Sequence, residues 1–265
     1  MPFGNDSPFP LSDAFIGRTG ARGYMADLLK ARASRSRSFE AYDFNIKALD
    51  TTNVWTTACG ATTTDWAVLA AAGGWVRGVT GTTTATAGLQ LYQPQKYWTG
   101  TSTGGVAFLW KSNVVQGVTI EMGFANALPS INTTVINNAT TPTFNTSVDV
   151  AMYLYQHDGN ATAAPTRVGL YTNNSSSGTA QKSLATISTL GDKPGPAAAT
   201  EHFVAIELQG TNVLLWQGDL SAPLVLTDGV TAANGMIPFF AVKGNNSTSK
   251  SVDIDAMFTW SGRLG

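Results

Sequence analysis

Apolar and polar residues alternate with period two along much of this chain. In SVDIDAMFTW, Val252, Ile254, Ala256, Phe258 and Trp260 fall on one face of a strand, and Asp253, Asp255, Met257 and Thr259 on the other. In GVTIEMGF, Val118, Ile120, Met122 and Phe124 oppose Thr119 and Glu121. In VDVAMYLYQ, Val148, Val150, Met152 and Leu154 point one way and Tyr153 and Tyr155 the other. Strands with one buried face read like this. Turn chemistry separates the runs, as at Asp158-Gly159-Asn160, Gly191-Asp192 and Lys243-Gly244-Asn245. Many short strands between such turns predict an all-β fold, a two-sheet antiparallel sandwich, over residues 51–265. Two polar stretches with paired prolines, 128–147 and 191–200, are predicted surface loops. The first is long for a hairpin, a length often used for contact.

The leading fifty residues follow another rule. Met25, Leu28 and Leu29 fall at i, i+3 and i+4, which predicts a short helix at about 24–33. Lys30 and Arg32 sit in its last turn, where cations oppose the helix dipole favourably. From Ile16 to Ser38 the basic residues Arg18, Arg22, Lys30, Arg32, Arg35 and Arg37 face a single acid, Asp27, for a net +5. Residues 51–265 hold nine basic and eleven acidic side chains, a net −2. The chain therefore divides into an N-terminal arm, 1–50, and a nearly neutral body.

Composition narrows the classes. Of 265 residues, 43% are hydrophobic and 12% charged, which argues against disorder over most of the length. Cys59 is the only cysteine, so neither an intramolecular disulfide nor a cysteine metal cluster can form within one chain. The opening MPFGNDSPFPLSDAF lacks the pattern of a signal peptide, and no run of about 18 apolar residues exists. The expectation is a chain made in a cytoplasm, with no membrane span.

Segment order carries a family resemblance. GGWVRGVTG precedes AGLQLYQP; VQGVTIEMGFANAL follows; then come DVAMYLYQHDGN with RVGLYTNN, HFVAIELQGTNVLLWQGDLSAPLVLT, and NGMIPFFAVKGNNSTSKSVDIDAMFTW. Over residues 54–262 this order resembles the concanavalin A-like lectin/glucanase jelly roll, in the divergent form common in structural proteins of tailed bacteriophages. The resemblance implies that VQGVTIEMGFANAL lies in the convex sheet and that DVAMYLYQHDGN and RVGLYTNN form the ligand-side hairpin. The family includes lectins, glucanases and virion proteins, so the fold does not settle the function.

Chemistry is sparse. Glycoside cleavage needs two carboxyl groups flanking one bond. The family's glucanases present theirs as Glu-x-Asp-x-x-Glu on one strand, and here Glu121 stands alone. His157 and His202 have neighbouring acids but no nucleophile elbow. Asp158 and Asn160 could give calcium two oxygens of the six to eight it takes, too few to predict a metal site. No catalytic residue, metal or cofactor is expected. Sugar binding is the alternative, because exposed aromatics stack on sugars; Trp110, Tyr153 and Tyr155 are the candidates.

The arm carries no nucleic-acid-binding motif, and its apolar stripe is too narrow for a membrane surface, which excludes specific nucleic acid and lipid as partners. A helix this short is unstable alone. It would gain order by laying Met25, Leu28 and Leu29 on a partner while Arg18, Arg22, Lys30, Arg32, Arg35 and Arg37 meet acidic groups. Docking onto a major capsid or other virion protein is the expectation. The protein would then be a non-enzymatic capsid decoration protein located in the virion, a homo-oligomer with a trimer favoured. A carbohydrate-binding module of a phage head or tail fibre is the alternative.

Overall fold

A computed structural model describes residues 27–29, 31–32, 36–44, 48–52, 54–60, 64–69, 74–83, 88–94, 98–99, 101–138, 143–144, 149–157, 167–174, 181–184, 198–217 and 219–262. Its strands, in chain order, are β1 (Ser36–Asp43), β2 (Thr56–Cys59), β3 (Thr64–Val68), β4 (Val76–Val79), β5 (Gly88–Tyr92), β6 (Thr103–Ser112), β7 (Val118–Ala125), β8 (Ile136–Asn138) and β9 (Thr143–Phe144). They continue as β10 (Asp149–Gln156), β11 (Arg167–Asn174), β12 (Gln181–Leu184), β13 (His202–Gln209), β14 (Asn212–Gln217), β15 (Asp219–Leu226), β16 (Ile237–Gly244) and β17 (Ser251–Gly262). One sheet runs β15-β14-β13-β6-β17-β4-β3, with β1 also on β17; the other runs β12-β11-β10-β7-β16-β5-β2. All pairs are antiparallel, so the predicted all-β two-sheet sandwich is what forms.

The core between the sheets takes Val118, Ile120, Met122 and Phe124 from β7, as the alternation predicts. It also takes Tyr153 and Tyr155 from β10, and Val106, Phe108 and Trp110 from β6. Two strands depart from simple alternation. In β17 the pairing to β6 slips between Ile254 and Ala256. Such a bulge leaves one residue unpaired and turns the strand over. Val252, Ile254 and Met257 therefore face the core between the sheets, while Ala256, Phe258 and Trp260 face outward. The five predicted to share one face do not share it.

Both outer faces are also covered. On the eight-stranded sheet, Ala107, Leu109, Phe203, Ala205, Phe258 and Trp260 form a second apolar layer. Residues 27–29 and 31–32 are helical, within the predicted span, and Leu28 and Leu29 lie on this layer at 3% and 0% exposure. On the seven-stranded sheet, Val150, Met152 and Leu154 join Ala125, Tyr171, Phe239 and Val135 in a third layer. Within 128–147, predicted to be a surface loop, Pro129 and Val135 are buried, and Ile136–Asn138 and Thr143–Phe144 pair as a small hairpin. The described part of 191–200, residues 198–200, is exposed as predicted.

Candidate functional site

The outer face of the seven-stranded sheet carries a buried acid. On β7 the side chains of Thr119, Glu121 and Ala125 point away from the inter-sheet core, as the register with Gln156, Leu154 and Val150 of β10 requires. Glu121 is 1% exposed. Its cross-strand neighbours are Leu154 on one side and Ala241 on the other. Neither is an acid.

The position two residues after Glu121 cannot hold an acid on this backbone. Gly123 has φ +146°, and a Cβ there would lie 2.2 Å from the Ala151 carbonyl oxygen. Only glycine accepts that conformation and that approach. The position two residues before is Thr119, which takes a hydrogen bond from Asn245 Nδ2 at 2.9 Å. A cleaving pair of carboxyls would stand roughly 5–9.5 Å apart. Among the residues lining the cleft at Glu121, no second carboxylate occurs.

A strap of the chain's own residues closes this face. The Val135 backbone N–H donates to Glu121 Oε2 at 2.7 Å. Gln90 Nε2 donates to the Pro129 carbonyl at 3.1 Å. Gly88 lies so close beneath the strap that a Cβ would meet Ile131 O at 1.7 Å. What remains is a cavity of about 10 Å³ bordered by Glu121, Ile131, Thr133 and Lys243. That is room for about one water and none for a sugar ring.

Other candidates are structural. His157 is 2% exposed; its Nδ1 accepts from the Gly117 N–H at 3.3 Å and its carbonyl from Asn245 Nδ2 at 2.9 Å, which staples two turns together. The ring of His202 packs against Trp110 at 5.4 Å. Cys59 ends β2 and is exposed. Asp253 is held by Arg77 through two hydrogen bonds of 2.6 and 2.7 Å. Asp158 and Asn160 lie outside the described residues. No cluster of three metal-ligating His, Cys, Asp or Glu side chains occurs among the described residues.

The aromatic candidates for sugar stacking are corrected by burial. Trp110, Tyr153 and Tyr155 are each 0% exposed and belong to the inter-sheet core. Period two placed the tyrosines opposite Met152 and Leu154 correctly, but it did not say which face meets the other sheet. Tyr155 donates to the Val115 carbonyl at 2.8 Å, and burial pushes its phenol up to about 12. Burial raises Tyr153 further.

The arm is divided. Arg18, Arg22, Met25, Lys30 and Arg35 lie outside the described residues; Arg37 is within β1, its side chain not described. Leu28 and Leu29, predicted to meet a partner, meet the chain's own sheet. Arg32 pairs with Glu207: Nε lies 2.5 Å from Oε1, and Nη2 donates to Oε2 at 2.9 Å. Trp216 Nε1 donates to the same Oε2 at 2.8 Å, and the guanidinium lies 5.7 Å from the Trp216 ring centre. Separated by 175 residues, Arg32 and Glu207 gave no signal in sequence.

This architecture is a two-sheet jelly roll, and among the described residues lining the cleft beneath the strap Glu121 is the one acid. No family model matches the sequence, and no curated protein matches it. Solved structures do match. A pseudo β-1,3-glucanase and immunostimulatory antigen of Mycobacterium tuberculosis superposes with a TM-score of 0.56 at 9% identity, covering 84% of this chain and 98% of that one. The β-glucanase of Bacillus licheniformis gives 0.52 at 14% identity, with 84% and 98% covered. The carbohydrate recognition domain of Emp47p gives 0.52 at 14% identity, with 87% and 99% covered. At these identities the likeness shows the fold alone. Within it, β7, expected in the convex sheet, and β10–β11, expected as the ligand-side hairpin, pair in one sheet, so the two expectations do not both hold.

Proposed function

We propose that the chain is a non-enzymatic structural protein of a virus particle, a decoration protein whose closed sandwich forms the body and whose residues 1–26 hold it in place. The observation that carries the non-catalytic part is the strap. Among the described residues lining the cleft, Val135 takes the one acid, Gly123 leaves no room for a second two positions on, and the cavity beside Glu121 holds about one water. Support for an anchoring segment is local charge: residues 16–26 carry Arg18 and Arg22 and no acid, against a net −2 over the body. Because Leu28, Leu29 and Arg32 serve the chain's own sheet, the partner contact falls to the preceding segment with Arg18 and Arg22. A charge-poor body suits close packing beside identical copies, a trimer being the favoured arrangement, since like charges repel.

Deleting residues 1–26 is expected to abolish association with purified particles while the sandwich stays folded. A truncated chain that still binds at full occupancy overturns the anchoring role. Hundreds of copies per particle by quantitative mass spectrometry agree with decoration; absence from particles overturns it. Carbohydrate binding is the second reading, favoured by fold neighbours that include a carbohydrate recognition domain. Saturable binding on a glycan array would promote it, through residues other than Trp110, Tyr153 and Tyr155.

A further inference from the structure

Asn234-Gly235 is the one Asn-Gly step in the chain. It lies in the connection from β15 to β16, and both ends of that connection are pinned. Upstream, the N–H groups of Gly229 and Val230 donate to the Thr211 carbonyl at 2.8 and 3.3 Å. The Thr231 N–H donates to Asp149 Oδ1 at 3.1 Å, and Thr231 Oγ1 donates to the Asn174 carbonyl at 2.7 Å. Downstream, Met236 and Trp98 exchange backbone hydrogen bonds of 2.6 and 2.9 Å, and Met236 is fully buried. Between these anchors Ala232 and Ala233 are exposed and Asn234 and Gly235 are half-buried, and none of the four belongs to a strand. Small residues at an exposed loop tip are where a chain tolerates change.

The Gly235 N–H has no acceptor among the described residues. Most backbone N–H groups of a fold are held by a partner, and a held N–H cannot turn onto the preceding side chain. This one is free to turn, and glycine has no Cβ to obstruct the approach and a permissive backbone to make it. The chemistry follows from that freedom. The Gly235 nitrogen bonds to Asn234 Cγ and closes a cyclic imide. The Cγ–Nδ2 bond breaks, and Nδ2 leaves as ammonia with the proton that Gly235 gives up. Water then opens the ring at either carbonyl. Opening at Cγ leaves aspartate; opening at the backbone carbonyl leaves isoaspartate, with the main chain running through the former side chain. Asn245 shows the contrast. Its Nδ2 donates to Thr119 Oγ1 and to the His157 carbonyl, each at 2.9 Å, and the residue after it, Asn246, carries a side chain.

We propose that Asn234 is a site of spontaneous deamidation in the folded chain, with water as the co-reactant and aspartate and isoaspartate as products. The isoaspartate form adds one methylene to the main chain between two fixed points, Thr231 and Met236. That extra length does not fit the connection, and the Met236–Trp98 pairing at the entrance to β16 loosens. The aspartate form adds the same charge without the added length. The change runs one way, so the folded protein carries a record of its age at this loop. The inference is independent of the proposed function.

The test incubates the full chain, folded, in warm and mildly alkaline buffer, with a denatured sample beside it. Peptide mass spectrometry follows each asparagine, and an isoaspartate-specific methyltransferase counts the isomer. The peptide holding Asn234 is expected to gain about 1 Da, the difference between NH₂ and OH, ahead of every other asparagine peptide. Gly235→Ala, which puts a methyl on the attacking residue, should slow the gain several-fold. Asn234→Gln, whose longer side chain closes a less favourable ring, should remove it; should the alanine variant fail to fold, the glutamine variant decides. Aged protein should melt a few degrees below fresh protein, and fresh Asn234→Asp, which has the charge but not the added methylene, should lose less. Deamidation at Asn234 in the denatured sample but not in the folded one would show that the fold protects the step and overturns the proposal. Equal rates at Asn234 and at Asn245 overturn the role given to the Gly235 N–H. A melting temperature unchanged at full conversion to isoaspartate overturns the loosening of the Met236–Trp98 pairing.

Discussion

Leu29→Ala separates a stripe packed on its own sheet from one reserved for a partner. Leu29 is 0% exposed and lies on the outer layer of the eight-stranded sheet with Phe203, Phe258 and Trp260. Truncating a fully buried leucine costs about 2–5 kcal/mol. The helical residues form one layer at the surface, so part of the void can close, which places the expectation at about 2–4 kcal/mol. A domain's whole stability is about 5–15 kcal/mol, so the loss is large. In urea unfolding followed by tryptophan fluorescence, the midpoint should fall with the slope unchanged, because the surface exposed on unfolding is almost the same. At about 2–4 °C per kcal/mol for a large domain, Tm should drop by roughly 5–15 °C. A change below about 0.5 kcal/mol, the size of a surface substitution, would show that the stripe is not seated on the sheet in solution. It would then be free for a partner, and the division of the arm at residue 27 would be wrong.

Three further outcomes follow from the same packing. Gly88→Ala places a methyl 1.7 Å from the Ile131 carbonyl, so the strap must lift; faster proteolysis between residues 128 and 135 is expected, and an unchanged cleavage pattern refutes the contact. Trp110→Ala should cost about 3–5 kcal/mol as a core truncation; a fully stable variant that loses only glycan binding would contradict its burial. Burial raises the phenols of Tyr42, Tyr153 and Tyr155 above their ordinary value of 10.0, Tyr155 to about 12. Above pH 10 the unfolded chain releases protons that the native chain keeps, so stability falls as pH rises, by about 1.4 kcal/mol per unit for each such tyrosine. Phenolate absorbance in native protein should lag that of unfolded protein across this range, and coincident titrations would refute the burial.

The fold was legible because β7 alternates cleanly and turn residues punctuate the strands. What failed was the assumption that each strand has one wet face. In β10 neither face carries a charge between Val150 and Tyr155, and both are buried. That lack of charge was the available signal. The bulge beyond Ile254 in β17 left no trace in composition, since Ala256, Phe258 and Trp260 suit either layer. The strap was read as a polar loop, yet Ile131 and Val135 interrupt its polar run and Val135 is fully buried. The missing second acid was legible in spacing; that Gly123 prohibits one was not, because a φ of +146° and the approach of Ala151 are tertiary facts.

β17 is bordered on one side by β6 along most of its length, and on the other by β4 and then β1, laid end to end. The residues that precede β1 are pinned through Leu28, Leu29 and Arg32 to the same sheet. A pull on the N-terminus therefore loads the pinned turn first and then the seven residue pairs from Ser36 to Asp43 that bind β1 to β17. Any tether attached upstream would transmit tension into an interior strand and leave the outermost strands β15 and β3 unstrained.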